Sequence, residues 1–239
     1  METLTGKVAI VTGGTRGIGR SIAERLLRDG ASVAICGRTQ EAVDRAVAAM
    51  KPLGPIYGVP ADMADYRQVS RFFDAVDQQF PGLDILVNNA GAGTFRKVGE
   101  MTPEEWHRNI DLNLNGPFYC CREALPRFQK RGGGFIVNIS SLAAKNAFAG
   151  GAGYNASKAG LNLFTEALML DHRHDNIRVS SIMPGSVDTD FGSGTGLRPA
   201  NTGWMIAPED VAETVSLVLR MPSRTMISRL EMRPSRPQK

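Results

Sequence analysis

Short apolar runs alternate with stretches of helical apolar spacing along most of the chain. Val8-Ala9-Ile10-Val11 is apolar and mostly β-branched, the pattern of a strand buried on both faces. Residues 21–27 have helical spacing, and Asp29-Gly30 reads as a stop. Ser32-Val33-Ala34-Ile35-Cys36 is a second buried strand. Residues 39–51 read as a helix that Pro52, Gly54 and Pro55 break. Ile56-Tyr57-Gly58-Val59 is a third, weaker strand, followed by a helical run over 66–80 and a fourth strand, Leu83-Asp84-Ile85-Leu86-Val87. From Thr102 to about Gln129 the pattern is helical throughout. Thr102-Pro103-Glu104-Glu105 opens it with a cap, a proline and acids. Phe135-Ile136-Val137-Asn138-Ile139 is the fifth strand, 153–170 a helix, and Ile177–Ile182 the sixth strand. A last helix runs from Pro208 to about Arg220, and 225–232 reads as a final strand.

Six such alternations predict an α/β fold, an open and mostly parallel sheet with helices on both faces. The expectation is a single-domain Rossmann-type doubly wound sheet of about seven strands covering residues 1–239, because no repeat or composition break marks a linker. Residues 186–206 are loop-like and rich in Gly, Ser and Thr. A loop of that length in a compact domain reads as a substrate lid, with Phe191, Trp204 and Met205 as candidate contacts.

Composition narrows the function classes. The chain has 239 residues, 42% hydrophobic and 22% charged, ordinary for a globular protein with a large core. Its net charge of +4 is concentrated in residues 220–239, which read as a solvated terminus or a subunit contact. No base-reading motif, aromatic stacking series or zinc spacing accompanies it, so no nucleic-acid partner is expected. No apolar run could span a bilayer, and the first residues lack the pattern of a signal peptide. Cys36, Cys120 and Cys121 form no paired framework, which suits a reducing compartment; the expected localisation is cytoplasmic. His172 and His174 beside Asp171 and Asp175 read as surface charge, and no metal is expected.

The chemistry-bearing residues cluster at strand ends. Thr12-Gly13-Gly14-Thr15-Arg16-Gly17-Ile18-Gly19 follows the first strand and opens a helix. Glycines let the backbone turn sharply, and a helix N-terminus faces an anion with free N–H groups and its dipole. The spacing Gly13-x-x-x-Gly17-x-Gly19 differs from the general dinucleotide fingerprint. After the second strand, an acid would hold a ribose 2′-hydroxyl, whereas Arg accommodates a 2′-phosphate. Here Gly37-Arg38 follows with no Asp or Glu, and Arg16 is a second cation in reach, so NADP(H) is favoured. Asp62 is placed either to accept from an adenine amino group or to sit at a helix N-terminus. Asn88-Asn89-Ala90-Gly91 is small and polar where the chain passes a ligand. Tyr154 and Lys158, four apart, share one helix face, and Ser141 stands thirteen residues before Tyr154. A neighbouring ammonium favours phenolate, so Lys158 is expected to lower the Tyr154 pKa. A phenol tuned this way serves as general acid or base.

Taken together, Thr12-Gly13-x-x-x-Gly17-Ile18-Gly19, Asn88-Asn89-Ala90-Gly91, Asn113, Ser141, Tyr154-x-x-x-Lys158 and Pro184-Gly185-x-Val187-x-Thr189 resemble the short-chain dehydrogenase/reductase family in order and spacing. The resemblance covers nearly the whole chain and is similar to NADP-dependent 3-oxoacyl-[acyl-carrier-protein] reductase-like members. It implies interconversion of a carbonyl and a secondary alcohol, with Tyr154 as general acid/base, Ser141 bonding the substrate oxygen, and Lys158 holding the nicotinamide ribose. The Asn113 position would bend its helix so that its carbonyl holds a relay water. Gly13, Thr15, Arg16 and Ile18 would contact phosphates and ribose, Asp62 and Met63 would flank adenine, and Asn89, Ala90 and Gly91 would line the cofactor. Pro184, Gly185, Val187 and Thr189 would meet its nicotinamide end. A homotetramer or homodimer is implied. The C-terminal Ile227–Pro234 segment departs from the Gly-rich ending common in the family and looks more like relatives acting on small hydroxy acids or miscellaneous carbonyls. A non-catalytic NADP-binding sensor is the competing reading, disfavoured because both Tyr154 and Lys158 are present.

Overall fold

A computed structural model describes residues 1–191 and 201–237. Residues 192–200, the middle of the expected lid, lie outside the described residues. The strands are β1 (Val8–Val11), β2 (Ser32–Gly37), β3 (Ile56–Pro60), β4 (Ile85–Asn88), β5 (Gly134–Ile139), β6 (Ile177–Pro184) and β7 (Arg229–Met232). They form one sheet in the order β3-β2-β1-β4-β5-β6-β7, parallel at every pairing. The chain winds outward from β1 to β3, then returns to the other side of β1 with β4. The crevice between β1 and β4 is therefore the topological switch point, where ligands bind beyond the C-terminal strand ends.

The helices are α1 (Gly17–Arg28), α2 (Gln40–Met50), α3 (Tyr66–Gln79), α4 (Pro103–Ile110), α5 (Gly116–Arg131), α6 (Ala152–His172) and α7 (Pro208–Leu219). Strand side chains alternate between faces and separate the core into two layers. Ala9 and Val11 of β1 pack with Ile22 and Leu26 of α1 and Val215 and Val218 of α7. Val8 and Ile10 pack instead with Phe72 and Phe73 of α3 and Phe128 of α5.

One expectation is corrected. The helical pattern over 102–129 is not one α-helix. It starts as read, with Thr102 and Glu105 forming a reciprocal capping box. A π-helical segment, Asp111–Asn115, then interrupts it between α4 and α5. Asn113 lies in that segment and is fully buried, not on the surface as a mid-helix Asn usually is. The wider turn carries Asn113 inward, where its amide finds three partners described below.

The N-terminal edge of the sheet is fixed by Asp84. One carboxylate oxygen accepts the Val8 N–H at 2.9 Å, and Lys7 and Arg131 both donate to the group. Burial alone would raise its pKa, but the Val8 N–H and then the Arg131 and Lys7 bonds outweigh it and hold the carboxyl below its usual range. The cationic tail is also engaged: Arg229 pairs with Glu166, Arg233 with Glu231, and Arg220 donates to the Glu2 carbonyl.

Asp84→Asn is expected to lose about 1–3 kcal/mol at neutral pH, the cost of unpairing a buried charged cluster. The native pKa lies below the unfolded value of ~3.9, so the advantage of the wild type is complete above that value and falls as pH drops through the native pKa. Urea denaturation at pH 7 and pH 3 checks it, with the gap narrowing at the lower pH.

Candidate active site

The C-terminal ends of β1, β4, β5 and β6 open onto one cavity of about 810 Å³. Gly13, Thr15, Arg16, Gly17, Ile18 and Gly19 line its first side, and Arg38, Asp62 and Met63 the end beyond β2 and β3. Asn89, Ala90 and Gly91 form the middle. Ser141, Tyr154, Lys158, Pro184, Gly185, Val187 and Thr189 line the opposite end. Of the residues singled out from sequence, Asn113 stands behind this wall and not on it.

The glycine turn is shaped for close approach. Gly13 and Gly17 have φ of +65° and +53°, in the left-handed region. A Cβ at Gly13 would come within 3.0 Å of the Ala90 backbone, and one at Gly19 would collide with the Asn89 amide and the Gly13 carbonyl. No side chain caps the N-terminus of α1. Its first-turn N–H groups thus face the cavity as a cradle for anionic oxygens. The Thr12 hydroxyl accepts the N–H groups of Asn89 and Ala90, both at 3.0 Å, and the Asn89 side chain donates to the Thr12 carbonyl at 3.0 Å. These bonds hold the turn and the segment after β4 in one geometry. Such a cradle fits the diphosphate of a dinucleotide.

Arg16 and Arg38 both line the cavity, and neither makes an ion pair among the described residues. Thr39 and Arg45 line it too and were not singled out from sequence. The available signal was spacing, because Ala42 and Arg45, three apart on α2, share a face with the helix start. Arg45 is paired to Glu41 at 2.7 Å. Asp62 is not the helix cap. Asp65 takes that role, while an Asp62 oxygen accepts the Ala64 N–H at 3.0 Å. Trp204 and Met205, expected as substrate contacts, line a separate open depression with Arg233 and Pro234.

At the other end, Tyr154 and Lys158 stand one turn apart on α6, both buried. Ser140 and Ser141 divide clearly. The Ser140 hydroxyl is turned inward, donating to the Lys158 carbonyl at 3.4 Å, whereas the Ser141 hydroxyl accepts the Ala143 N–H at 3.1 Å, donates to the Pro184 carbonyl at 3.5 Å, and lines the cavity with Tyr154. The Lys158 ammonium donates to the Ile139 carbonyl at 2.9 Å and lies 5.9 Å from the Tyr154 ring centroid. Behind them, the Asn113 amide donates to the Ala92 carbonyl at 2.8 Å and to the Ser157 hydroxyl at 3.2 Å. Its oxygen accepts the Ala92 N–H at 3.1 Å.

Burial dominates the electrostatics of the pair. Burial pushes the Tyr154 phenol up to about 12, with the Ser141 bond acting against it, and burial pulls Lys158 down to about 8. Among the protein's own groups, desolvation is the larger influence on the phenol. The three cysteines are buried thiols pushed upward by burial, and so are not nucleophiles.

Comparison with known proteins identifies the scaffold. The family model described as short chain dehydrogenase matches residues 7–197. The chain belongs to the short chain dehydrogenase family. It is an oxidoreductase of the kind that acts on CH–OH groups of small molecules with a nicotinamide cofactor. A relative named 3alpha-hydroxysteroid dehydrogenase, from Mediterraneibacter gnavus, is 40% identical over 79% of this chain and 76% of its own. Among solved structures, the alcohol dehydrogenase of the archaeon Thermococcus sibiricus complexed with 5-hydroxy-NADP superposes with a TM-score of 0.88. It is 27% identical, over 98% of this chain and 99% of its own. A 7 alpha-hydroxysteroid dehydrogenase complexed with NADH and 7-oxo glycochenodeoxycholic acid superposes at 0.90, with 29% identity over 99% and 96% of the two chains. No helix among the described residues is long and apolar enough to cross a membrane.

The depressed pKa of Lys158 has a measurable consequence. An unfolded lysine titrates near ~10.4, so between about pH 8 and pH 10 the unfolded chain binds more protons than the folded one. Stability contributed at this site therefore rises with pH across that window. Urea midpoints of wild type and Lys158→Met are expected to move in the wild type's favour between pH 7.5 and pH 9.5. Parallel curves would contradict the burial assigned to Lys158.

Proposed function

We propose that the protein is an NADPH-dependent carbonyl reductase, and in reverse an alcohol dehydrogenase, with Tyr154 as the proton donor. The observation that carries this reading is the convergence of Ser141, Tyr154 and Lys158 at the end of the cavity opposite the glycine cradle. NADPH, when bound, supplies the hydride. Ser141 holds the substrate oxygen, Tyr154 passes its phenolic proton to that oxygen, and the Lys158 ammonium orients the ribose and stabilises the phenolate left behind. Asn113 positions Lys158 and the segment after β4 through its amide bonds. The uncapped turn at 13–19 takes the diphosphate, with Asp62 and Met63 beside the adenine and Asn89, Ala90 and Gly91 along the middle. Pro184, Gly185, Val187 and Thr189 meet the nicotinamide end.

NADPH is preferred over NADH because Arg16 and Arg38 line the adenosine end, with no acid at the end of β2 to receive a 2′-hydroxyl. Arg45 adds a third cation on the same side. For the substrate, a steroid ketone, a 3-oxoacyl thioester and a small hydroxy acid are the classes to screen, the first because two similar proteins are named hydroxysteroid dehydrogenases. The exposed Phe118, Leu163 and Leu170 on α5 and α6 support the expected homodimer or homotetramer. The buried free thiols accord with a cytoplasmic location.

Tyr154→Phe is expected to lower kcat by at least about a thousand-fold, loss of the proton donor, while NADPH still binds within a few-fold of wild type. Fluorescence titration and steady-state rates check both halves, and a fully active variant would remove Tyr154 from the chemistry. Arg38→Asp is expected to raise the NADPH KM about ten-fold or more by repelling the 2′-phosphate, leaving the NADH KM unchanged or lower. An unchanged NADPH/NADH ratio would overturn the cofactor assignment.

A further inference from the structure

The catalytic end of the cavity has an aromatic side that proton transfer does not use. Phe95, from the loop after β4, meets the Tyr154 ring edge-on, with centroids 5.7 Å apart at 74°. Phe148, from the loop after β5, lies 5.6 Å from Phe95. Phe191, from the loop after β6, lies 5.6 Å from Tyr154 and 6.4 Å from Phe95. These three strands are neighbours in the sheet, so three consecutive loops each deliver one phenyl ring to the surroundings of one phenol. All four spacings fall in the range of attractive aromatic pairs.

The first two rings are held in place. A Cβ at Gly93 would collide with the Phe95 ring, and one at Gly151 would come within 2.7 Å of the Phe148 ring. Both glycines therefore leave room for a ring that any larger residue would displace. The two loops are also tied together, because the Arg96 N–H donates to the Gly150 carbonyl at 2.8 Å. Arg96 is anchored in turn to Glu105 at 2.7 Å. The rings are nonetheless not spent on the core. Phe148 is 41% exposed and Phe191 43%, beside a Tyr154 that is only 9% exposed. Phe191 and Tyr154 line the cavity directly, and Phe95 and Phe148 extend the ring cluster beyond its lining. Single exposed apolar side chains need no explanation, but three converging rings at a catalytic mouth make a contiguous surface for an apolar ligand.

We propose that Phe95, Phe148 and Phe191 form a specificity wall that selects carbonyl compounds carrying a flat, apolar ring system next to the reacting carbon. The proposal rests on Tyr154 being the proton donor, and it adds the substrate class. A planar ring body packs against the exposed ring faces while its carbonyl oxygen reaches the Ser141 and Tyr154 hydroxyls. That contact, remote from the reacting bond, holds the carbonyl in a reactive orientation. A short aliphatic ketone or a linear 3-oxo ester leaves the rings in water and gains none of this. The wall stands away from the adenosine end, where the diphosphate cradle and the arginines lie.

The test compares 2-acetylnaphthalene, 2-butanone and ethyl acetoacetate with NADPH, for the wild type and for Phe95→Leu, Phe148→Leu and Phe191→Leu. Leucine keeps an apolar side chain and the fold while removing the ring. The wild type is expected to prefer 2-acetylnaphthalene by about a hundred-fold in kcat/KM, and each substitution to lower that value by about ten-fold. Rates with 2-butanone and the Kd for NADPH are expected to stay within about two-fold, since neither uses the rings. Equal kcat/KM for the three carbonyl compounds, or an unchanged preference in all three variants, overturns the wall. If no carbonyl is turned over, calorimetric titration of 2-acetylnaphthalene into the same proteins with NADPH present separates the two ideas. Binding that the substitutions weaken retains the wall and removes the reductase reading. No binding, or binding indifferent to the substitutions, overturns the wall.

Discussion

Three separate stretches of chain meet on the side-chain amide of Asn113. Its amide group exchanges hydrogen bonds with both backbone groups of Ala92 and donates to Ser157 on α6. Ala92 belongs to the loop that follows β4, and Ser157 sits beside Lys158. One buried amide thus sets the distance between the middle of the cavity and the helix that carries the phenol. It can do so because the helix widens into a π turn at Asp111–Asn115 and swings Asn113 inward. A buried amide left unpaired would cost about 1–3 kcal/mol, so the three segments keep their register or lose that much.

The same logic recurs on the other side of the switch point. Thr12 ends β1 and accepts the N–H groups of Asn89 and Ala90 beyond β4. Deeper in, Asn88 donates to Asn138 on β5, which donates to Thr165 on α6. Polar side chains at the strand ends therefore stitch β1, β4, β5 and α6 together where the apolar layers stop. Packing of the two cores brings the strand ends side by side, and these bonds fix their relative height. Beside the glycine turn, these bonds tie the segment after β4 to the end of β1. The N-terminus of α1, which no side chain caps, is the place left open to an anion.

Much of this was legible from residue pattern. Buried strands read as β-branched runs because a parallel sheet covered on both faces needs no alternation. The glycine turn read correctly because few residues tolerate φ of +65° and +53°. Residue pattern alone does not show the π turn, because Asp111-Leu112-Asn113-Leu114-Asn115 keeps helical spacing; only the family resemblance implies a bend at Asn113. The aromatic wall was only partly legible. Phe191 stood out in the long loop, but Phe95 and Phe148 are 53 residues apart in sequence and meet only through loops that the sheet order brings together. Burial of the Tyr154 phenol is likewise invisible in spacing. Spacing places Lys158 next to the phenol, but it does not show that Ile139 takes the ammonium's hydrogen bond.

Burial of this pair bears on how the site holds its protons. A phenol held near 12 keeps its proton at neutral pH, and a lysine held near 8 keeps most of its charge there only by a narrow margin. On the chemistry proposed for this site, such a phenol is poised to give a proton, not to take one. Reduction needs the protonated form, already the dominant one, whereas oxidation needs the phenolate that burial disfavours. The charge on Lys158 stabilises that phenolate, so it works against the desolvation that its own burial imposes. The site therefore balances two costs of one dry pocket. Excluding water strengthens the hydrogen bonds made inside it and makes every charge placed there more costly.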